Sequence, residues 1–488
     1  MTIRHAAFSA IRWTSMAMLG RAAIAFAQIV TLSRILDPAD FRQVAIAVTI
    51  VGIGIVFTDM GISSALIRFR DVTKEELNSL FWLNVFMGGV VTLVVAAGSP
   101  LIAMFYGDMR LVPLVLVAST VFFVTALGQQ QRAMAEKNLR FDVLFKIDMA
   151  SAIAGFSIAV ISALAGFGAM SIVVGNLVNV AGVTVLSWLL LADGWRPSFS
   201  FSWKAAKRFV AFGSNVVAIS MFNAVALNGD IVLGGRLITG SALGYYFQPR
   251  DLCLRIMLVV NPIVTRVSFP LLSSVAHDKE RVKSVYLKAM RMTASVNFPI
   301  YAFLAVFGPE VVAIALGPKW AASGPIMRVL AAWGAVRSVG NPVGSLLFAT
   351  GETKRATYSA LSVAIAVFVF VYLGAPFGIL GIPTALTILY VILIPVFWIA
   401  LVRPSCGASF AEYHTVLLLP AIATLCAALV GALVLQLVDG ALPRLVIGGA
   451  AGTLVYLASS WLINREWLLS MAELLMIKRL LRGRPQPT

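Results

Sequence analysis

Apolar runs of about 20 residues recur from one end of this chain to the other, and they constrain its fold more than any other feature. A helix of that length spans the roughly 30 Å hydrocarbon layer of a bilayer. Of the 488 residues, 60% are hydrophobic and 12% are charged, whereas a soluble chain carries about twice that charged fraction. A β-barrel would instead show alternating segments of about ten residues. The sequence therefore predicts an all-α integral membrane protein.

We predict about fourteen transmembrane helices, arranged as two six-helix lobes followed by two further helices. The lobes cover residues 1–195 and 200–402, the additional helices cover residues 403–463, and a basic amphipathic tail covers residues 464–488. The expected spans are residues 13–33, 43–64, 79–104, 111–128, 146–166, 170–191, 209–236, 242–272, 284–307, 320–350, 355–374, 378–402, 416–436 and 443–463. The first run is long for a signal sequence and is interrupted by Arg21, so we interpret it as a retained span.

Lysines and arginines fall mainly on one side of these spans. With the N-terminus inside the cell, the inner segments hold most of the cations between spans, and the outer segments hold only Arg34, Arg42, Arg110, Lys319 and Arg444. This distribution follows the positive-inside rule and predicts that both termini are cytoplasmic. It also accounts for the net charge of +17 without nucleic acid as a partner.

The sequence offers no residue pattern for catalysis, for a metal or for another cofactor. Three cysteines and three histidines are scattered along the chain, without disulfide or zinc-site spacing. The acids of the predicted outer segments are dispersed, which does not suit acid–base chemistry. No phosphate-cradling loop of the ATPase kind is present. We therefore expect a protein that is not an enzyme.

An internal repeat links the two predicted lobes. "LSRILDPADFRQVAIA", from Leu32, aligns with "GGRLITGSALGYYFQP", from Gly234, so that Arg34 falls on Arg236. Each stretch predicts the end of a long helix, a turn and the start of the next helix. The copies are six spans apart, so the two lobes keep the same membrane orientation. In transporters, paired halves of this kind place the substrate site where they meet.

The chain resembles the Wzx-type polysaccharide flippases of the multidrug/oligosaccharidyl-lipid/polysaccharide exporter superfamily, with most similarity to the colanic-acid exporter branch. The resemblance spans nearly the whole chain and rests, in order, on "LSRILDPADFRQVAIAVTIVGIGIVFTDMGISSALI", "LNGDIVLGGRLITGSALGYY", "RVSFPLLSSVAHDKERV", "FGPEVVAIALGPKW" and "SVGNPVGSLLFATGETKR". Arg42 departs from the family, which usually has glycine after "DF".

The resemblance implies fourteen helices, two lobes and the export of a polyprenyl-diphosphate-linked glycan. The cargo would be a repeat unit of an exopolysaccharide, a capsule or an O-antigen, moved from the inner to the outer leaflet. The expected location is the bacterial cytoplasmic (inner) membrane. The expected partners are the lipid-linked glycan and the bilayer, with polymerase and other glycan-assembly proteins as further candidates.

Several charged residues fall inside the predicted spans, where a charge costs a few kcal/mol unless it faces water or a partner. The excess is arginine, which binds phosphate through paired N–H donors. Helical spacing predicts an Asp251–Arg255 pair, and depth in the bilayer predicts an Asp230–Arg250 pair. The predicted substrate-binding residues are Arg21, Gln28, Asp230, Arg250, Arg255 and Arg337.

These residues have a structural alternative and the whole chain has two functional ones. The charges could pair only to hold the lobes in register. A multidrug exporter of the same superfamily would favour carboxylates for cationic drugs. A membrane glycan polymerase or glycosyltransferase would need catalytic acids or histidines on sizeable outer loops. The excess of arginine favours a cavity that attracts the diphosphate of a lipid-linked glycan, with Asp230 balancing the charge or coupling transport.

Overall fold

A computed structural model describes residues 3–69, 71–192 and 195–469. Twelve helical segments within these ranges are long and apolar enough to cross a membrane. One of them, Thr353–Cys406, contains two apolar helices separated by a 3₁₀ turn at Ala375–Leu380. The predicted span 320–350 forms two consecutive shorter helices. These two differences account for the gap between twelve segments and the predicted fourteen.

The chain divides into two compact units. Unit 1 contains the residues up to Gln248 together with Thr357–Ile382, and unit 2 contains Pro249–Ala356 and the residues from Pro383 onward. The helices of the first 237 residues are α1 (Ile3–Ile35), α2 (Pro38–Asp59), α3 (Ile62–Arg68), α4 (Lys74–Tyr106), α5 (Leu111–Lys137), α6 (Phe141–Leu164), α7 (Met170–Leu191) and α8 (Trp203–Leu237).

The remaining helices include α9 and α13, which both pass from one unit into the other. A 3₁₀ turn at Pro318–Trp320 precedes α11, and a π-helical turn at Trp398–Val402 follows α14. The helices are α9 (Ala242–Ser274), α10 (Lys279–Ala315), α11 (Ser323–Ser338), α12 (Asn341–Ala349), α13 (Thr353–Gly374), α14 (Gly381–Phe397), α15 (Arg403–Cys406), α16 (Phe410–Leu437) and α17 (Ala441–Ile463). Most of the predicted C-terminal tail, residues 470–488, lies outside the described residues.

Local sequence signals explain where several helices begin and end. Thr73 caps α4, and its backbone N–H donates to the Glu76 carboxylate at 2.9 Å. Ser409 and Glu412 form the same reciprocal pair at the start of α16. Such capping boxes satisfy N–H groups that have no acceptor within the helix. α4 ends at Gly107, whose φ of +65° lies in the left-handed region that glycine favours.

The repeat identified in the sequence is present as two helix–turn–helix elements. Arg34 lies in the last turn of α1, and α2 begins three residues after α1 ends. Arg236 lies in the last turn of α8, and α9 begins after a short turn at residues 238–241. The predicted ends of both long helices are therefore confirmed, and the two arginines occupy equivalent positions.

Glycines allow α2 to pack closely against the α8–α9 segment inside unit 1. A Cβ added to Gly244 would lie 1.8 Å from the Pro38 carbonyl oxygen, and one added to Gly213 would lie 2.0 Å from that of Met60. Real side chains cannot approach a backbone atom so closely. The contacts occur near opposite ends of α2, so the packing extends along the length of this helix.

The loops of unit 1 collect into two groups at opposite ends of its helices. At one end, Arg208 binds the Glu76 carboxylate at 2.8 Å, and Asn78 donates to the Ser198 hydroxyl at 2.6 Å. These residues belong to or border segments predicted to lie inside the cell. At the other end, Arg42 pairs with Asp108, and both lie in segments predicted to lie outside.

Unit 2 has an aromatic and aliphatic core at one end of α10. Tyr286 and Met290 of α10 are fully buried there with Leu346 of α12 and Tyr413 of α16. At the other end of α10, Glu310 pairs with Arg444 at 3.2 Å. Both of these residues lie in segments predicted to be outer. This core thus packs the helices together at the end of unit 2 that the sequence predicts to be cytoplasmic.

Candidate functional site

Three of the predicted site residues, Arg21, Gln28 and Asp230, belong to unit 1. Arg21 of α1 contacts the Asp148 carboxylate of α6 at 3.3 Å, and Arg132 of α5 contacts the other oxygen of that carboxylate at 2.9 Å. Asp148 is buried, whereas the Arg21 side chain is 53% exposed. One carboxylate is thus shared by two guanidinium groups, one of which belongs to an accessible arginine.

Asp230 of α8 is buried and contacts α9. It is 2% exposed and accepts a hydrogen bond from the Tyr246 hydroxyl of α9 at 2.5 Å. Gln28 lies on α1 and is half-buried. One turn further along the same helix, the buried Ser33 hydroxyl accepts a hydrogen bond from the Gln248 amide at 2.6 Å. Polar contacts therefore connect α9 to both α1 and α8 within unit 1.

The other three predicted site residues, Arg250, Arg255 and Arg337, belong to unit 2. Arg250 follows Pro249 inside α9 and is 2% exposed. Arg255 is exposed, and its Nε donates to Asp251 at 2.5 Å. The predicted Asp251–Arg255 pair is therefore confirmed, while the predicted Asp230–Arg250 pair stays a prediction.

Arg337 occupies a different environment from the other arginines. It lies in the last turn of α11, where its guanidinium carbon is 5.1 Å from the ring centres of both Trp333 and Tyr390. Aromatic faces attract a cation without neutralising its charge. Among the described residues no carboxylate pairs with Arg337. Its N–H donors are therefore available to an anion.

Two contributors to these clusters were not selected from the sequence. The predicted span 111–128 ends before Arg132, but α5 continues to Lys137 and brings Arg132 into contact with Asp148 of α6. Asp148 falls inside the predicted span 146–166, but nothing in its spacing indicated two arginine partners. The sequence did hold one sign of this cluster, which is the polar segment "GQQQR" at residues 128–132. In the structure, Gln130 and Gln131 of this segment are buried.

The arginines of these clusters have the chemistry that anion binding requires. Arginine presents several N–H donors in a planar fork that fits phosphate oxygens. The described part of the chain contains no group of three or more histidine, cysteine, aspartate or glutamate side chains that could hold a metal ion. Charged residues inside membrane-spanning helices are typical of transport pathways.

The fold and these residues define a multi-span, all-helical membrane protein of the transporter class. Residues 31–325 match the family described as "Polysaccharide biosynthesis protein". The chain belongs to this family, as its sequence resemblance predicted.

Among curated proteins, the chain is similar to the lipopolysaccharide biosynthesis protein WzxC of Escherichia coli (strain K12), at 28% identity over 86% of each chain. It is 30% identical to the teichuronic acid biosynthesis protein TuaB of Bacillus subtilis (strain 168), over 72% of each chain. It is 24% identical to the succinoglycan biosynthesis transport protein ExoT of Rhizobium meliloti (strain 1021), over 66% of this chain and 65% of that protein.

Solved structures share the fold at low sequence identity. The lipid II flippase MurJ in an inward closed conformation gives a TM-score of 0.75 at 16% identity, covering 94% of this chain and all of that chain. A multidrug resistance MATE family transporter in an inward-facing conformation gives 0.58 at 15% identity, covering 78% and 96%. The all-helical transporter fold expected from the sequence is therefore confirmed.

Proposed function

We propose that this protein flips a polyprenyl-diphosphate-linked oligosaccharide from the inner to the outer leaflet of a bacterial cytoplasmic membrane. Its cargo is a repeat unit of a cell-surface polysaccharide, and both of its termini are cytoplasmic. The family of the chain and the names of its relatives, which concern polysaccharide biosynthesis and transport, support this cargo class. The protein moves the glycan and does not build or cleave it.

The environment of Arg337 is the observation that carries the proposal. Trp333 and Tyr390 hold its guanidinium, and no carboxylate pairs with it among the residues that the structure describes. A diphosphate can bind such a cation without first displacing a carboxylate.

Arg21, Arg250 and Arg255 assist Arg337 in binding the diphosphate in this proposal. Arg21 is exposed and shares the Asp148 carboxylate with Arg132, so it is accessible to an anion. Arg255 could exchange Asp251 for a phosphate, because both side chains are accessible. Asp230 and Gln28 would act by adjusting the local charge and hydrogen bonding. This excess of arginine favours an anionic lipid over a cationic drug.

The test measures movement of a labelled polyprenyl-diphosphate glycan in vesicles that contain the purified protein and no ATP. Wild-type protein should move the label between leaflets, and Arg337→Ala should slow this by about tenfold or more, the effect of losing charge-assisted hydrogen bonds to phosphate. Arg337→Lys should fall between the two, because lysine keeps the charge but loses the planar fork.

Arg328→Ala is the matched control, since Arg328 is exposed on the same helix and nine residues away, near the opposite face. It should move the glycan at the wild-type rate. Equal rates for Arg337→Ala and wild type would remove Arg337 from the site. Export of cationic drugs without movement of the glycan lipid would favour a multidrug exporter. Glycosyl transfer or hydrolysis by the pure protein would favour an enzyme.

A further inference from the structure

A polar cavity lies in unit 2, at the end of the helices that the sequence predicts to be cytoplasmic. Its volume is about 640 Å³. The walls come from the start of α10, the α12–α13 turn and the start of α15. All three segments are predicted inner segments. The cavity shares no residue with the set proposed to bind the transported headgroup.

Cationic side chains dominate this cavity. Lys279, Lys354 and Arg355 line it, and Glu352 is the one acid among the lining residues. Glu352 is paired with Arg355. Lys279 and Lys354 have no ion pair within the described ranges of the chain, so the cavity carries uncompensated positive charge.

The neighbouring carboxylates are engaged elsewhere. Asp278 pairs with Arg281 at 3.2 Å, and Glu280 pairs with Lys283 at 2.9 Å. Glu412 of α16 also contacts Lys283, at 3.4 Å. None of these acids is needed to balance Lys279 or Lys354. The two lysines are therefore available to an anion that enters the cavity.

A buried hydroxyl without a partner also lines the cavity. Ser405 is 5% exposed, and its Oγ has no hydrogen-bond partner among the described atoms. A buried hydroxyl without a partner costs free energy, and native proteins rarely leave one in place without a reason. A ligand oxygen in the cavity would satisfy it.

The backbone of the α12–α13 turn adds further donors. Gly351 adopts a φ of +77°, and a Cβ added there would meet no atom within 4 Å. Helical hydrogen bonding in α13 starts with the Ala356 N–H, which donates to the Glu352 carbonyl. The N–H groups of Lys354 and Arg355 precede that bond and have no acceptor within the helix. Helix N-termini with such free donors bind phosphate groups.

We propose that this cavity is a phosphate-binding site, separate from the transport pathway. Its ligand is a phosphate group, carried either by an anionic phospholipid of the adjacent leaflet or by a soluble phosphate ester. A phosphate has enough acceptor oxygens to bind two lysines, the α13 N–H groups and the Ser405 hydroxyl together. Binding would link α10, the α12–α13 turn and α15, and so stabilise unit 2.

The test measures binding of pyrophosphate to the purified full-length protein by calorimetry, at moderate salt so that non-specific charge effects are screened. The wild-type protein should bind it. Lys279→Gln with Lys354→Gln should weaken binding by at least about tenfold, and Ser405→Ala by about three- to tenfold. The matched control, Lys204→Gln with Lys207→Gln, removes the same charge from the exposed start of α8 and should bind like wild type.

A second arm identifies the source of the phosphate. The unfolding temperature is measured in micelles supplemented with phosphatidylglycerol or with phosphatidylcholine. If phosphatidylglycerol raises the unfolding temperature of the wild-type protein but not of the lysine variant, and the wild-type protein shows no pyrophosphate binding at this cavity, the ligand is a phospholipid headgroup. Pyrophosphate binding that the lysine variant loses and its control keeps assigns a soluble phosphate ester, whereas binding that the lysine variant retains belongs to the arginines proposed for transport. The absence of both effects, or equal effects in the lysine variant and in its control, overturns the proposal. Each readout is independent of glycan transport, and Ser405→Ala provides the test if the lysine variant does not fold.

Discussion

Arg42 illustrates how a single charge is accommodated in this bundle. Its guanidinium pairs with Asp108 at 3.3 Å and donates to the carbonyl oxygens of Tyr106 and Gly235 at 2.9 and 3.4 Å. The arginine therefore joins α2, the α4–α5 turn and α8. Burial raises the pKa of Asp108, but hydrogen bonds from Arg110 and other donors outweigh burial and hold that pKa below its usual value. Asp108 is therefore ionised at neutral pH.

Removing this guanidinium should destabilise unit 1. Arg42→Ala removes a donor from the carbonyl oxygens of Tyr106 and Gly235, whereas Asp108 keeps its hydrogen bonds from Gln43 and Arg110. The loss of these buried contacts should cost about 1–3 kcal/mol. Arg42→Lys should recover only part of this, because an ammonium cannot reach three separated acceptors. The measurement is the free energy of unfolding in detergent micelles.

Arg110→Ala is the control for Arg42, because Arg110 binds the same carboxylate but its side chain is 75% exposed. Exposed pairs contribute within about 1 kcal/mol, so this variant should unfold close to wild type. A loss of equal size in Arg42→Ala and Arg110→Ala would show that the contacts of Arg42 across the helices do not stabilise the unit.

At the scale of the element, the sequence predicted the features that depend on local pattern. The apolar runs placed nearly every helix, and the repeat located the ends of α1 and α8 correctly. The spacing of Asp251 and Arg255 predicted their pair, since residues four apart share a helical face. Arg42 was assigned to an outer loop because it precedes an apolar run, whereas α2 begins at Pro38 and includes it.

The remaining features depend on contacts between elements that are distant in the chain. The shared Asp148 requires α1, α5 and α6 to meet, and the Trp333–Arg337–Tyr390 arrangement requires α11 to meet α14. Trp333 and Arg337 are four residues apart on α11, but a single sequence holds no periodic signal for the contact with Tyr390 or for the shared Asp148. The break between α11 and α12 was signalled by "NP" at Asn341 and Pro342, but hydropathy alone merged the two helices into one span.

The packing of α2 against the start of α9 provides a test at this scale. Gly244→Ala would place a methyl group against the Pro38 carbonyl, so α9 must shift, at a cost of about 1–3 kcal/mol or more. Gly98→Ala on α4 is the control, because a Cβ there meets nothing within 4 Å. The free energy of unfolding in micelles should fall for Gly244→Ala and stay at the wild-type value for Gly98→Ala. A Gly244→Ala variant as stable as Gly98→Ala would contradict this helix contact.

At the scale of the whole molecule, the distribution of cations and the grouping of the loops agree. In unit 1, predicted inner segments contact each other through Arg208 and Glu76, and predicted outer segments contact each other through Arg42 and Asp108. In unit 2, the cavity around Lys279 joins three predicted inner segments. If the predicted number of crossings between two of these segments were wrong by one, a predicted inner segment would contact a predicted outer one. The contacts within each unit join inner segments to inner segments and outer segments to outer segments, so they support the predicted order of crossings.

Labelling of cysteines from outside the cell tests which group of loops is cytoplasmic. Phe167 and Phe199 are suitable positions, because both are exposed and lie in turns on either side of α7. In a background with the three native cysteines replaced, a membrane-impermeant maleimide should label Phe167→Cys in intact cells. It should label Phe199→Cys only after the membrane is permeabilised, because the positive-inside rule places the following Lys204, Lys207 and Arg208 in the cytoplasm. The reverse labelling pattern would show that the protein has the opposite orientation, with the cavity around Lys279 outside the cell. Labelling of both positions in intact cells would show that α7 does not cross the membrane.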